Sequence, residues 1–277
     1  MSAEVLNLPS PLFRGIVLLQ KYPLPLLLPT AAIVVVGVGV NHALAALNLS
    51  KFGHFALAAG LLIHFFLTSL AFLCVANYTA RSESNSEQPE VRNLFDSFAF
   101  PGYGKLLAGL LTRFAFALVG AGLSMVVLSF AFRVLKPTHQ VVPRSSSGPA
   151  YLWVAIIVSV LILSHWVLAI PLFVQSKGLL KSPLETSVRA VRGRRSFVVV
   201  FTLFLQAVSY PLVRLTSPLH PHLSDGAARY APQLLEIIAA HSFGAVVWTW
   251  WMIVMTMLAM QLQGTDEPFA VLPLAPA

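Results

Sequence analysis

The chain has 277 residues, of which 57% are hydrophobic and only 10% are charged. Soluble chains usually have about 25% charged residues, so this composition argues against an ordinary soluble protein. The net charge of +8 would suit a nucleic-acid partner only if the cations formed one face or stripe, whereas they lie mainly in short loops between apolar runs. We therefore expect an integral membrane protein with no nucleic-acid partner.

Six apolar runs follow one another, and most are long enough to cross a hydrocarbon core, which takes ~20 helical residues. Backbone groups inside a bilayer must be satisfied within the segment, which favours helices. The predicted fold class is an all-α polytopic membrane bundle: six transmembrane helices with short interfacial amphipathic helices, forming a single transmembrane domain over residues 1–277. The runs cover residues 23–47, 54–78, 106–132, 151–174, 197–213 and 241–262.

A short amphipathic stretch precedes each odd-numbered run. These stretches begin at Ser10, Asn93 and Ser182, and we expect each to lie at the inner membrane surface ahead of a helical hairpin. A fourth segment, residues 228–240, precedes the last run, and its sequence ARYAPQLLEIIAA predicts a short helix lying on the outer membrane surface.

The distribution of Lys and Arg predicts the orientation, because cytoplasmic loops are enriched in these residues. With the N-terminus inside, eleven of the 18 lie on the inner side and six on the outer side, and Arg113 falls within a run. We therefore expect a multi-pass protein of the cell inner membrane with both termini in the cytoplasm. The inner set is Arg14, Lys21, Arg81, Arg92, Lys105, Lys177, Lys181, Arg189, Arg192, Arg194 and Arg195.

The most basic segment, KSPLETSVRAVRGRRSF at residues 181–197, has the features of a helix start. Ser182 is a candidate cap, proline follows it in the first turn, and Glu185 is spaced to complete a capping box. Leu184, Val188 and Val191 recur at helical spacing and predict one apolar stripe. A short amphipathic helix in the headgroup layer fits this pattern.

Cations cluster in and around this segment, against the single acidic residue Glu185. We expect them to contact anionic lipid of the cytoplasmic leaflet or an acidic protein partner, at ~1 kcal/mol per charge for lipid. The alternative is that they only fix the topology. The cations are Lys177, Lys181, Arg189, Arg192, Arg194 and Arg195.

The longer run LAIPLFVQSKGLLKSPLETSVRAVRGRRSFVVVFTL resembles a segment of a large group of six-helix bacterial inner-membrane proteins. That group includes the membrane domain attached to some glycerophosphodiester phosphodiesterases. Pro171, Gly178, Ser187 and the Arg192–Gly193 pair match the pattern, which often has an acidic residue where this chain has Gln175. The resemblance implies a six-helix fold, and it does not imply phosphodiesterase activity because the catalytic barrel has no counterpart here.

Polar residues inside the runs are functional candidates, because burying them in lipid is unfavourable. The histidines suggest either a haem, pigment or metal site or hydrogen bonds to neighbouring helices. No two ligand residues stand three or four positions apart in the runs, so we expect no metal and no cofactor. The intramembrane candidates are His64, Arg113, His165, Gln206 and His241.

Paired carboxylates and nucleophile–base groupings are not evident in the sequence, so we expect no catalytic residues and no enzyme. The leading hypothesis is a non-enzymatic inner-membrane protein that contacts anionic lipid or partner proteins through a basic cytoplasmic surface. One alternative is a permease or channel for a small or lipidic molecule. Another is an accessory subunit of a larger membrane complex, associated with a pigment or haem.

Overall fold

The computed structural model describes residues 9–46, 53–84, 90–135, 154, 156–216 and 230–265, and within these ranges all regular secondary structure is helical. The all-α prediction is confirmed for this part of the chain. Two 3-10 helices, Val91–Ala99 and Ser164–Trp166, accompany the α-helices. The α-helices are α1 (Pro9–Lys21), α2 (Pro23–Ala46), α3 (Gly53–Ser84), α4 (Tyr103–Leu135), α5 (156–163), α6 (Ala169–Gln175), α7 (Pro183–Arg192), α8 (Arg195–Thr216) and α9 (Tyr230–Thr265).

Four helical segments are long and apolar enough to cross a membrane. Helices α1 and α2 meet the same criterion together across a bend of 93°, which gives five spans if the bent pair is one span. Helix α8 contains the predicted run 197–213, but its apolar stretch among the described residues, Arg195–Leu205, is shorter than a span. The count of six therefore stays a prediction. The four segments are Ala59–Glu83, Tyr103–Ser124, Ile156–Gln175 and Ser242–Leu262.

The predicted amphipathic stretch at Ser10 forms α1, which ends just before Pro23. Proline has no N–H and its ring crowds the preceding turn, so one straight helix cannot continue through this position. Helix α1 packs closely on α9, because a Cβ added at Gly15 would lie 3.2 Å from the side chains of Trp250 and Val254. Trp250 Nε1 also donates to the Leu12 carbonyl at 3.2 Å. The bend of 93° sets α1 across the direction of α2, and these contacts hold α1 against α9.

The second predicted stretch begins at Asn93 in a 3-10 helix of 9 residues, Val91–Ala99, and continues into the start of α4. Side chains three positions apart share a face in a 3-10 helix, and Leu94 and Ser97 are accordingly both fully buried. An ion pair of 2.7 Å between Arg81 and Asp96 connects this element to the end of α3.

The core is formed mainly by α3, α6 and α9, which pack on one another. Large side chains that are completely covered come from all three helices, as shown by Leu73, Leu172 and Ile253. The loop and helix α7 that follow α6 in the chain therefore start from this buried core.

The prediction of a separate surface helix at residues 228–240 is wrong. Residues from Tyr230 onward belong to α9, which continues without a break to Thr265 and has 36 residues. Pro232 lies in the first turn, where a missing N–H costs no hydrogen bond. At ~1.5 Å per residue the helix is about 54 Å long, so it exceeds a hydrocarbon core of ~30 Å.

Candidate functional site

Six cations follow one another between the end of α6 and the start of α8. All are exposed except Arg194, which is half-buried. Within the described residues, none of the four cations from Lys177 to Arg192 forms an ion pair with a carboxylate. We call this set the basic surface. It consists of Lys177, Lys181, Arg189, Arg192, Arg194 and Arg195.

The turn after α6 fixes the start of the basic surface. Lys177 and Gly178 both have positive φ, 50° and 78°, and the Gly178 N–H donates to the Phe173 carbonyl at 3.0 Å. This is how a helix commonly ends at a glycine. A Cβ at Gly178 would lie only 2.5 Å from the Pro101 carbonyl oxygen, so the turn packs directly on the loop before α4.

Helix α7 begins after Ser182 with Pro183 in its first turn, as predicted, but the capping box is absent. Ser182 makes no side-chain cap hydrogen bond and has φ −143° and ψ 73°, away from the extended conformation usual for a capping serine. Thr186 instead donates its N–H and its hydroxyl to the Ser182 carbonyl, at 3.1 and 3.0 Å. Residue spacing predicted the helix start but not this arrangement.

The apolar stripe of α7 packs against the protein. Val191 is 1% exposed, and Leu184 and Val188 are half-buried. The Leu184 side chain sits so close to α4 that a Cβ at Gly109 would lie 2.6 Å from Leu184 Cδ1. Because α7 is held by its apolar face, the exposed Arg189 and Arg192 are directed away from the bundle.

A break in the segment α5–α6 explains the role of Ser187. The 3-10 turn Ser164–Trp166 and the turn at residues 167–168 interrupt the α-helical hydrogen-bond pattern between α5 and α6. Carbonyl groups freed in an apolar region need other donors. The buried Ser187 donates to the His165 carbonyl at 2.9 Å, and Arg195 donates to the Leu161 carbonyl at 3.3 Å.

Gln175 also connects helices near the basic surface. Its Nε2 donates to the Thr256 carbonyl of α9 at 3.3 Å. An ionised carboxylate accepts hydrogen bonds and cannot donate them. The acidic residue that often stands at this position in the resembling pattern could not make this link in its ionised form.

The intramembrane candidates whose side chains the structure describes are His64, Arg113 and His165, and they have different surroundings. His64 is exposed on α3, and His165 Nδ1 lies 3.2 Å from the Ile162 carbonyl of its own segment. Gln206 and His241 lie on α8 and α9, and their side chains are outside the described part of the structure. In the part of the chain that the structure describes, no three His, Cys, Asp or Glu side chains lie close enough together to hold a metal ion.

Arg113 lines a cavity, whereas the other two candidates with described side chains, His64 and His165, are not part of its lining. Its Nη1 donates to the Gly109 carbonyl at 3.2 Å, and its guanidinium lies over the Trp166 ring at 5.4 Å. The cavity has a volume of about 810 Å³, is partly open, and is lined by α3, α4, the α5–α6 segment, α8 and α9. Sequence reasoning identified Arg113 but missed the cavity, because the other lining residues are ordinary residues of apolar spans.

Comparison with known proteins finds no matching protein-family model, no matching curated protein and no matching solved structure.

Proposed function

We propose that this chain is a non-enzymatic multi-pass protein of the cell inner membrane whose basic surface contacts anionic lipid headgroups of the cytoplasmic leaflet. The proposal includes six spans and cytoplasmic termini. It rests on one observation: the cations from Lys177 to Arg192 are exposed and have no carboxylate partner among the described residues. Each such cation near an anionic leaflet contributes ~1 kcal/mol of attraction.

The way α7 is attached supports this proposal. Its apolar residues and Ser187 are turned toward the protein, which leaves Arg189 and Arg192 on the opposite, exposed side. A cation that is held on a docked helix loses less conformational freedom on binding than one on a free loop. Lipid phosphates also suit the planar guanidinium, which donates two parallel hydrogen bonds.

The proposal is tested with the whole chain reconstituted in bilayers of neutral lipid that contain either spin-labelled phosphatidylglycerol or spin-labelled phosphatidylcholine. We expect a larger motionally restricted fraction for the anionic lipid at low salt. The difference should shrink at ~1 M salt, where the screening length falls to ~3 Å. Equal restricted fractions at low salt would remove the lipid-contact proposal and leave the cations as topology anchors.

The second candidate, a permease or channel for a small or lipidic molecule, is favoured by the cavity beside Arg113. The resemblance to the membrane domains of some glycerophosphodiester phosphodiesterases stays a proposal alongside it, and it concerns the fold and not an activity.

A further inference from the structure

The cavity beside Arg113 has the size of a small-molecule site. Its volume of about 810 Å³ lies within the roughly 300–1,000 Å³ that such sites occupy. Most of its lining is aliphatic or aromatic, including Phe65, Phe72 and Leu118. Walls of this kind favour an apolar chain or ring system over a hydrated solute.

One charged side chain, Arg113, lies in this apolar lining. It stands ten residues after the start of the span Tyr103–Ser124, which is ~15 Å along the helix at ~1.5 Å per residue. Its described partners are a backbone carbonyl and the Trp166 ring, and neither neutralises its charge. An unneutralised guanidinium at this depth is costly, so an anion at this position would stabilise the site.

Several other hydrogen-bond donors of the lining are already used within the protein, so the Arg113 guanidinium is the charged donor that a ligand would meet. The hydroxyl groups of Thr68, Ser69 and Ser164 donate to carbonyls of their own helical segments, at 2.8, 2.9 and 2.9 Å. Trp251 Nε1 donates to Thr202 at 3.3 Å. The guanidinium has five N–H groups, and its one described hydrogen bond goes to Gly109.

The far end of the cavity provides space for a tail. Leu61 and Gly122 line the cavity and are exposed, which places an opening at that end. Gly122 follows Arg113 by nine residues on α4, a distance of ~13.5 Å along the helix. An elongated apolar group attached to an anionic head would therefore extend from Arg113 toward this opening.

We infer that the cavity binds a single-tailed amphiphile whose anionic head, a carboxylate or a phosphate, pairs with Arg113 and whose apolar tail lies among the aromatic side chains. This site is separate from the basic surface and does not depend on the proposed function. A guanidinium binds both head groups through paired hydrogen bonds, so the experiment includes one ligand of each kind.

The test uses quenching of tryptophan fluorescence by bromine, because Trp166, Trp248 and Trp251 line the cavity. The full chain in neutral detergent micelles is titrated with dibrominated stearate, dibrominated lysophosphatidate and dibrominated stearyl alcohol. We expect saturable quenching by at least one of the two anions. The alcohol should bind roughly tenfold to a hundredfold more weakly, the range for losing a charged hydrogen bond.

Two pairs of variants on α4 locate the head and the tail. Arg113→Gln should bring the anion's affinity down to that of the alcohol, whereas Lys105→Gln, at an exposed cation outside the cavity, should leave it unchanged. Ala121→Leu adds volume at a buried position of the lining and should weaken the binding of both the anion and the alcohol. Ala108→Leu, at an exposed position outside the lining, should leave the binding of both unchanged.

The inference is overturned if the wild-type chain binds anion and alcohol equally, or if Arg113→Gln keeps the preference for the anion. Quenching that never saturates would also overturn it, because the ligands would then only partition into the micelle. If Arg113→Gln does not fold, two measurements still test the inference. They are the comparison of anion and alcohol on the wild-type chain and the comparison of Ala121→Leu with Ala108→Leu. Tighter binding of stearate or of lysophosphatidate identifies the head group.

Discussion

Two sets of cations on the side predicted to be cytoplasmic are held in different ways. Arg14 pairs with Glu83 at 2.7 Å, Arg81 with Asp96 at 2.7 Å, and Arg92 with Glu90 at 2.5 Å. In the basic surface, by contrast, the cations from Lys177 to Arg192 have no carboxylate partner within the described residues. The first set neutralises acids of the fold, and the second leaves its charge available to an external anion.

The two regions also differ in what fixes their backbone. The first two ion pairs join α1 to α3 and α3 to the 3-10 helix. Helix α7 is instead fixed by the turn at Gly178, by the contact of Leu184 with α4 and by the hydrogen bond of Ser187. This packing fixes the backbone that carries Arg189 and Arg192 without pairing either cation with a carboxylate of the described residues.

The largest expected effect concerns orientation, and it is all-or-none. Reporter fusions after residues 85, 180 and 277 should all be cytoplasmic, and a fusion after residue 140 should be external, because Lys and Arg are enriched on the inner side. Alkaline phosphatase and green fluorescent protein report the two sides. An external signal at residue 180 would put both sets of cations on the wrong side.

Packing at the turn after α6 should have the next largest effect. Gly178→Ala places a Cβ 2.5 Å from the Pro101 carbonyl oxygen on a residue with φ of 78°, and we expect it to lower the free energy of unfolding by roughly 2–4 kcal/mol. The control is Gly104→Ala on α4, where a Cβ meets nothing within 4 Å. Unfolding in mixed micelles measures both, and equal stability of the two variants would show that the turn is not tightly packed.

Ser187→Ala should have a smaller effect on stability. It removes the buried donor to the part-buried His165 carbonyl and leaves that acceptor without this partner, which costs roughly 1–3 kcal/mol. Ser196→Ala, at an exposed serine of α8, is the matched control and should change stability by less than about 0.5 kcal/mol. The same unfolding assay applies, and similar values for both variants would contradict the role given to Ser187.

The sequence predicted the elements better than their contacts. Apolar runs predicted α3, α4 and the last span, because hydropathy and length suffice to identify a membrane helix. Amphipathic spacing predicted α1 and α7. The continuity of α9 was missed because residues 228–240 were assigned to a separate surface helix, whereas α9 runs from Tyr230 to Thr265.

The candidate sites depend on contacts that spacing does not contain. The six cations were evident from the sequence. That the four from Lys177 to Arg192 have no carboxylate partner within the described residues depends on where Glu83, Asp96 and Glu90 lie. Ser182 had the right spacing for a capping box, yet its backbone conformation leaves the hydroxyl without a cap bond. Arg113 was evident as a polar residue in a span, whereas the cavity beside it arises only when five helical segments pack together.

A comparison of two charge-matched double variants tests the central claim most directly. Arg189→Gln with Arg192→Gln removes two unpaired cations, and Arg14→Gln with Arg92→Gln removes two paired ones. The selectivity for spin-labelled phosphatidylglycerol over phosphatidylcholine is measured for both at low salt. The first variant should lose selectivity worth about 2 kcal/mol, at ~1 kcal/mol per charge, and the second should stay close to the wild-type chain. Equal losses in both variants would contradict the account, because lipid selectivity would then follow net charge and not the exposed cations of α7.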